Sequence, residues 1–412
     1  MREVQEIESI VGIHGHSLDK KRINASFRQT PDDFQVEEIP SSIKRTDKGR
    51  YTYVRVRLKN RDTNRFLMDL ASSLHIPVWK ISDAGTKDKF AVTAQYFCLD
   101  GEYHDLPVLD NVEYLEKFCS ENPLRLGDLM GNTFTIRLSS DYDITDSVGD
   151  ILTEIDRNGG FPNFFGLQRF GSMRPITHIV GKYIVRGDFE SAVREYIADP
   201  AVDHEEYRLD FLRHNDPERS LREFPPGLVF ERMLLKHLAD GGRFENSMDI
   251  FPRNLSTLFV HAYQSYIFNT ALSRRMEMTE SMDSVMQGDQ IVPVDRYFNA
   301  QGDKTFSCDA FNIRKISKLS SDGAVRPVIK IPGFRTEIGD SPMDSILRDI
   351  MEKEGIKTSD FRIQGKKYLS SSGSFRIVSA KPIDLSFPGK NVLRFSLGKG
   401  IYATSLLREI VV

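Results

Sequence analysis

The stretch Ala84-Gly85-Thr86-Lys87-Asp88-Lys89-Phe90-Ala91-Val92-Thr93-Ala94-Gln95 decides how the rest of the chain is interpreted. It places one carboxylate between two ammonium groups and then becomes small and apolar. Before it, Asp62 to Leu74 has apolar residues at helical spacing, and after it Val92 to Leu99 is typical of a strand. We therefore predict that residues 85–89 form a loop at the end of a strand, a usual position for catalytic side chains.

The central residue of this loop is Asp88, which stands between Lys87 and Lys89. Neighbouring ammonium groups favour the ionised form of a carboxyl group, as a nucleophile or a general base requires. Spacing alone is more typical of an exposed turn whose charged side chains form weak ion pairs. The catalytic interpretation therefore needs support from the rest of the chain.

The composition is that of an ordinary globular protein. The 412 residues suffice for two or three domains, or for one large domain with an insertion, and 40% are apolar while 28% are charged. No apolar run approaches the roughly 20 residues of a membrane helix, and the charged start of the chain lacks the apolar core of a signal peptide. Cys98, Cys119 and Cys308 are far apart and form no CxxC pair, which disfavours a zinc site or a disulfide. We expect a cytoplasmic monomer with no membrane partner.

Basic residues are concentrated between residues 44 and 65, where the net charge is +7 although the whole chain carries −3. Such a patch can bind phosphates whatever the overall charge. Within it, residues 51–58 alternate as a strand does, and one face of that strand carries Tyr51, Tyr53, Arg55 and Arg57. Aromatic rings beside arginines suit RNA, and a solvated strand face explains them about as well.

Periodicity predicts most of the remaining secondary structure. Residues 131–138, 374–379 and 392–397 are predicted strands. Helical spacing is present in residues 112–118, 144–157, 176–185, 189–197, 228–238, 255–275 and 341–354. The chain therefore mixes strands with helices.

Three other stretches carry motif-like patterns. The first is Asp33-Phe34-Gln35-Val36-Glu37-Glu38, a short predicted strand after a turn. The second is Phe161-Pro162-Asn163-Phe164-Phe165-Gly166-Leu167-Gln168-Arg169-Phe170-Gly171, which fits neither a helix face nor an alternating strand. The third is Gly400-Ile401-Tyr402-Ala403-Thr404-Ser405-Leu406-Leu407-Arg408-Glu409, close to the end of the chain.

Together with residues 84–95, these stretches resemble, in chain order, the motifs of the TruD family of tRNA pseudouridine synthases. The resemblance covers nearly the whole chain, and in that family the aspartate of the Gly-Thr-Lys-Asp-Lys signature, here Asp88, is catalytic. The implied fold is α/β (α+β), with a mixed, largely antiparallel sheet in the catalytic domain and an inserted α/β accessory domain. We place the catalytic domain in residues 1–184 and 379–412, and the accessory domain in residues 185–378.

The resemblance also implies roles for single residues. Arg28, six positions before the motif phenylalanine, corresponds to a basic residue beside the catalytic aspartate. The implied substrate-binding residues are Phe34, Asn163, Phe165, Arg169 and Tyr402. Among them, Asn163 would hydrogen-bond the target nucleotide and Phe165 would stack on its base. The expected RNA-backbone contacts are Arg55, Arg57, Lys87 and Lys89.

The implied activity is the isomerisation of a uridine in tRNA, at position 13, to pseudouridine. No cofactor and no metal are expected, in keeping with a sequence that has no P-loop, dinucleotide fingerprint or metal-ligand cluster. Two alternatives stay open. One is a non-catalytic tRNA-binding or folding factor with the same basic and aromatic residues. The other is a hydrolase of a glycosidic bond, which would need a second carboxylate as general acid.

Overall fold

The computed structural model describes residues 4–171 and 173–412. These residues form two compact units. The sheet unit comprises residues 17–161, 293–303 and 379–412, and the helical unit comprises residues 4–16, 162–292 and 304–378. The predicted division into a catalytic domain and an accessory domain that begins at residue 185 stays a prediction.

The two units contain the following elements. The strands are β1 Ser26–Phe27, β2 Phe34–Pro40, β3 Tyr51–Lys59, β4 Ile81–Asp83, β5 Val92–Asp100, β6 Val112–Ser120, β7 Leu129–Ser139, β8 Phe161–Pro162, β9 Gln290–Pro293, β10 Phe306–Ser307, β11 Val325–Ile331, β12 Ser374–Ile377, β13 Ser379–Ala380, β14 Ile383–Gly389 and β15 Val392–Gly398. The helices are α1 Val4–Ile10, α2 Thr63–Ser73, α3 Thr145–Arg157, α4 Thr177–Val185, α5 Phe189–Ile197, α6 Glu206–His214, α7 Pro217–Glu223, α8 Val229–Ala239, α9 Arg253–Met276, α10 Ile313–Ser321, α11 Pro342–Lys353 and α12 Ala403–Ile410. None of these described helices has both the length and the apolar character needed to cross a membrane.

A nine-stranded sheet organises the sheet unit. Its main order is β14-β15-β7-β2-β5-β3-β6, with β1 on β7 and β4 on β5. Most neighbours are antiparallel, whereas β2 runs parallel to β5 with Gln35 opposite Val92. The last strand, β15, pairs along its whole length with residues 131–137 of β7, so that Phe395 lies opposite Phe134. The predicted mixed, largely antiparallel α/β fold is confirmed.

Residues 112–118 were predicted to be helical, and this prediction is wrong. They belong to β6, which pairs with β3. In that pairing Arg55 is opposite Glu116 and Val56 is opposite Tyr114, so β6 has one extra residue at this point. A bulge of this kind interrupts the two-residue alternation of a strand. The resulting spacing of apolar residues imitates a helix.

The two faces of β3 also differ from the prediction at one position. Thr52, Val54 and Val56 are buried as expected. Tyr53, placed on the outward face with the arginines, is only 2% exposed. Its ring stacks on Phe118 with centroids 5.3 Å apart, and its hydroxyl donates to the carbonyl oxygen of Asn122. A second apolar cluster therefore covers this part of the sheet, which alternation within one strand cannot reveal.

The long helix α9 is the core of the helical unit. It packs against α4, α11 and β11, and Phe259, Tyr263 and Ile267 are fully buried as its periodicity predicted. The approach of α4 requires a glycine at position 181, because a Cβ atom there would lie 2.0 Å from the carbonyl oxygen of Phe259. A small sheet with the order β10-β9-β11-β12 accompanies the helices.

A buried histidine on α4 makes the stability of the helical unit depend on pH. The ring of His178 stacks on Tyr266, with centroids 5.1 Å apart, and meets Phe170 edge to face. Burial lowers the pKa of His178 from its ordinary value of 6.5 to about 4, and the nearby charge of Lys182 acts in the same direction. The folded protein therefore keeps this imidazole neutral at pH values where the unfolded chain protonates it.

We expect the free energy of unfolding to fall as the pH drops through this range. Because the unfolded state binds the extra proton between about pH 6.5 and pH 4, the stability is lost there and the loss is complete below the folded-state value. The contribution of His178 is up to about 3 kcal/mol. Urea unfolding of wild type and His178→Gln is measured at pH 6.5 and pH 4. The difference between the two proteins separates the contribution of His178 to the pH dependence from that of the carboxylates. An equal pH dependence in the two proteins would refute the assignment.

Candidate active site

The loop between β4 and β5, residues 84–91, is anchored by a buried ion pair. We call this segment the Asp88 loop. The ammonium of Lys87 lies 2.7 Å from the carboxylate of Glu38 on β2, with side chains only 7% and 1% exposed. Lys87 also donates from Nζ to the carbonyl oxygen of Gly85 and from its backbone N–H to the hydroxyl of Thr63. Glu38 accepts the backbone N–H of Tyr96 on β5. The loop is therefore tied to β2, β5 and α2 at once.

Asp88 projects from this loop into an ion pair with Arg28. The guanidinium Nη2 of Arg28 donates to Oδ2 of Asp88, and the Asp88 side chain is 40% exposed. Arg28 has a backbone φ of 65°, in the left-handed region, which costs a non-glycine residue roughly 1–2 kcal/mol. The structure therefore brings together the predicted aspartate and its predicted basic partner, and it leaves the carboxylate accessible.

Phe34 forms the floor beneath this ion pair. The guanidinium carbon of Arg28 lies 3.8 Å from the centre of its ring, and Phe134 meets the ring edge to face at 6.1 Å. Phe34 is only 1% exposed. Its predicted contact with a nucleotide stays a prediction, and in this structure Arg28 covers the ring.

Lys87 is not placed as the sequence interpretation expected. It was predicted to contact the RNA backbone and to favour the ionised form of Asp88. Its side chain is instead buried against Glu38, and the cation beside Asp88 is Arg28. The physical reason is that the buried Glu38 carboxylate needs a partner, and Lys87 is within reach of it. Lys89, in contrast, is exposed.

Burial also affects Asp83, a carboxyl group next to the Asp88 loop. Asp83 ends β4, directly before the loop. Desolvation raises the pKa of Asp83, while the backbone N–H of Gly85 and the charge of Lys87 partly oppose this rise.

Within residues 4–171 and 173–412, no group of three or more histidine, cysteine or acidic side chains is arranged to hold a metal ion.

The cations of the basic segment around β3 are largely paired with nearby carboxylates. Arg55 lies 3.3 Å from Glu37 on β2, and Arg57 pairs with Glu113 on β6. Four more of its cations are paired in the same way: Arg45 with Glu116, Arg50 with Asp100, Lys59 with Asp32 and Arg61 with Asp69. The predicted contact of Arg55 and Arg57 with RNA stays a prediction, and it would require these pairs to exchange for phosphates.

Tyr402 lies at the start of α12, just after the last strand of the sheet, and its side chain is half-buried. The helix is held by Glu409, whose carboxylate accepts the backbone N–H and the hydroxyl of Ser17, both at 2.8 Å. The last residue of the third motif, Glu409, thus fixes the helix that begins after Tyr402. Contact of Tyr402 with a nucleotide stays a prediction.

In the helical unit, Asn163 and Phe165 are held by an arginine from β12. Asn163 is 1% exposed, and its amide nitrogen donates to the carbonyl oxygen of Ile377. Arg376 donates to both the backbone oxygen and the side-chain oxygen of Asn163. The same guanidinium lies 4.2 Å from the centre of the Phe165 ring. The structure therefore joins these two predicted residues through a third that was not predicted.

The rest of this motif surrounds Phe165. Arg169 lies 5.8 Å from the Phe165 ring and donates weakly to the hydroxyl of Ser265 on α9. Gly171 has a φ of 91°, and a Cβ atom there would lie 2.3 Å from the carbonyl oxygen of Arg174. This turn is therefore open only to glycine, which explains the last position of the motif.

A family model described as tRNA pseudouridine synthase D (TruD) matches residues 10–410 of the chain. The chain belongs to the TruD family. A relative from Picrophilus torridus, named "Probable tRNA pseudouridine synthase D", is 43% identical over 402 residues, which are 97% of each chain. A relative with the same name from Thermoplasma volcanium is 42% identical over 388 residues, which are 93% of each chain. The crystal structure of a TruD protein from Methanosarcina mazei is similar to this chain, with a TM-score of 0.80 and 32% sequence identity. The match covers 100% of this chain and 98% of the Methanosarcina mazei chain.

Three side chains that position the TruD motif residues were missed by the sequence interpretation. Glu38 stands inside the quoted first motif without a role, and Arg376 was read only as part of a strand. Asn269 belongs to a Gln-Ser-x-x-Phe-Asn pattern on α9. Its amide accepts the backbone N–H of Phe165 at 2.9 Å and donates to the Phe165 carbonyl oxygen at 3.1 Å. The signal for Asn269 was this pattern, which resembles a recurrent feature of the family, but the sequence interpretation gave Asn269 no role.

We expect Glu38→Gln to destabilise the sheet unit by about 3–5 kcal/mol, because it leaves the Lys87 ammonium buried without its carboxylate. The matched double variant Glu38→Leu with Lys87→Met removes both charges and should recover most of that loss. Urea unfolding of the three proteins makes the comparison. A loss below about 1 kcal/mol in Glu38→Gln would show that the pair behaves like an exposed one.

Proposed function

We propose that this TruD-family chain converts a uridine of tRNA to pseudouridine, with Asp88 as the catalytic carboxylate. The observation that carries the proposal is the Asp88–Arg28 pair, because an accessible carboxylate is paired with a cation on a loop that is itself anchored. The TruD family consists of tRNA pseudouridine synthases, which are isomerases. The uridine at position 13 is the target that the resemblance implies, and cytoplasmic location and a monomeric state are expectations of the same kind.

The chemistry requires one ionised carboxylate beside the sugar. The C1′–N1 bond breaks, the free uracil turns, a C1′–C5 bond forms, and the proton of C5 is lost while N1 gains one. Asp88 takes part either by attack on C1′ or by removal of a sugar proton to give a glycal, and both routes need its anionic form. Arg28 supplies a permanent positive charge that pairs with the Asp88 carboxylate.

The target base must leave its stack before the glycosidic bond can be reached. We assign the support of the displaced base to Phe165 and Tyr402, since aromatic rings stack on any base. Asn163 is assigned to hydrogen bonding with the nucleotide, and Arg376 keeps its amide in one orientation. Arg169 and Lys89 are assigned to phosphates.

We expect Asp88→Asn to abolish isomerisation while the fold and the affinity for tRNA stay close to wild type, because only the carboxylate is lost. Pseudouridine in a tRNA transcript is detected by carbodiimide labelling and primer extension. Asp47→Asn, the same change at an exposed position, serves as the control. Activity of Asp88→Asn within about tenfold of wild type, or ~1.4 kcal/mol of transition-state stabilisation, contradicts the assignment. A wild-type protein that binds tRNA without modifying it supports a binding factor instead.

Tyr402→Ala should lower kcat/KM for isomerisation by about 5–150-fold, as expected from a stacking contribution of about 1–3 kcal/mol. Tyr402→Phe keeps the ring and should stay within about threefold of wild type, because the contribution assigned to Tyr402 is stacking. Steady-state kinetics of the two variants decide between them. Equal losses in both would assign the role to the hydroxyl rather than to stacking.

A further inference from the structure

The helical unit contains an open groove of about 870 Å³ whose lining includes the ring of Phe334. We call it the Phe334 groove. One wall is the loop at residues 332–336 after β11, and the other is the irregular segment at residues 361–373 before β12. Neither wall contains a residue for which the sequence predicted a role.

Three exposed cations line the Phe334 groove: Arg335, Arg362 and Lys367. The guanidinium of Arg362 lies 4.5 Å from the centre of the Phe334 ring, and that of Arg335 lies 5.7 Å away. No carboxylate lines the groove. Within the part of the chain that the structure describes, none of the three cations forms an ion pair. The remaining polar lining consists of an amide and two hydroxyls, from Gln364, Ser370 and Ser372.

The two walls are fixed to each other. The buried amide of Gln264 on α9 donates to the carbonyl oxygen of Pro332 at 2.6 Å and to the hydroxyl of Ser371 at 2.8 Å. The backbone N–H of Phe334 donates to the carbonyl oxygen of Ser371 at 2.9 Å. A Cβ atom on Gly333 would lie 2.0 Å from the opposite wall, at the nitrogen of Gly373. The groove is therefore preformed, and its cations need little rearrangement to bind a ligand.

These features select the chemistry of the ligand. Three unpaired cations on a rigid, acid-free wall suit a ligand with several negative charges at regular spacing. A nucleic-acid backbone provides such charges, and cations that release its counterions bind it in a salt-dependent way. An arginine already paired with a carboxylate, as on β3, must first give up that pair. Within the described residues, the three cations of the groove are not paired with carboxylates, so they can bind a phosphate without breaking an ion pair.

We propose that the Phe334 groove binds the phosphodiester backbone of the tRNA substrate, through Arg335, Arg362 and Lys367. This inference rests on the proposed function, because that function supplies the tRNA. It assigns to the helical unit a share in substrate affinity, and it gives Gln264 the role of a positioning residue that holds the two walls together.

The test replaces all three cations with alanine (Arg335→Ala, Arg362→Ala, Lys367→Ala) and measures the Kd of an unmodified tRNA transcript at several salt concentrations. Each lost phosphate contact lowers the slope of log K against log salt by about 0.7–0.9, so we expect a decrease of about 2–3. Affinity near 0.1 M salt should fall roughly tenfold or more. Because none of the three cations is among the residues assigned to the reacting nucleotide, KM should rise while kcat at saturating tRNA stays near wild type.

The control carries the same change in net charge within the same unit. Lys236→Ala, Arg243→Ala and Lys353→Ala remove three exposed cations that are paired with Asp240, Glu245 and Asp349. This control should keep the wild-type slope, and so should Arg335→Lys with Arg362→Lys, which preserves the groove's charge. Thermal unfolding of each variant establishes that it is folded.

The outcomes separate this proposal from the proposed function. If the groove variant and the control bind tRNA with the same slope and Kd, the proposal is overturned even when wild type forms pseudouridine. If wild type forms none and the groove variant still loses slope, the groove is supported and the proposed function fails. A rise in KM with an unchanged slope also overturns the proposal, because it would indicate an uncharged contact.

Discussion

The buried ion pair between Lys87 and Glu38 is the interaction on which the geometry around Asp88 depends. Moving each charge out of water costs several kcal/mol, and this cost is offset only while both partners stay together. The Asp88 loop therefore cannot separate from β2 without leaving a buried charge unpaired. Because β2 starts at Phe34, a few residues after Arg28, one strand holds the loop, the aromatic floor and the approach of the guanidinium.

The parallel pairing of β2 with β5 explains why Arg28 and Asp88 meet, although they are 60 residues apart in the chain. Two adjacent parallel strands begin at the same edge of a sheet. The segment before β2 carries Arg28 and the segment before β5 carries Asp88, so both emerge at that edge. A motif can identify each segment, but alternation within a strand does not specify its neighbour or its direction. The meeting of the two residues was therefore available from the family resemblance and not from periodicity.

Local periodicity was sufficient where one element buries its own apolar face. The helix α2, the strand β5 and the core of α9 follow it closely. Periodicity gave the wrong structure or burial where contact with a neighbouring segment determines it. The two cases are the extra residue of β6 and Tyr53, whose ring is covered by Phe118. The motif patterns indicated which residues matter, but they did not show which contacts these residues make. The structure supplies those contacts for Asn269 and Gln264: irregular buried backbone must satisfy its N–H and C=O groups, and a side-chain amide offers both a donor and an acceptor.

Charge density along the chain and charge free to bind phosphate are different quantities in this molecule. The segment from residue 44 to residue 65 carries +7, but carboxylates such as Glu37 on β2 and Glu113 on β6 pair with its arginines. A phosphate that approaches Arg57 replaces one anion by another, so much of the attraction is cancelled. In the Phe334 groove, the cations come from two segments distant in the chain, and no carboxylate accompanies them. Each of these cations therefore offers more binding free energy to a phosphate than a cation that is already paired with a carboxylate. The density of charge along the sequence does not reveal this difference, because it is lower at the groove than in residues 44–65.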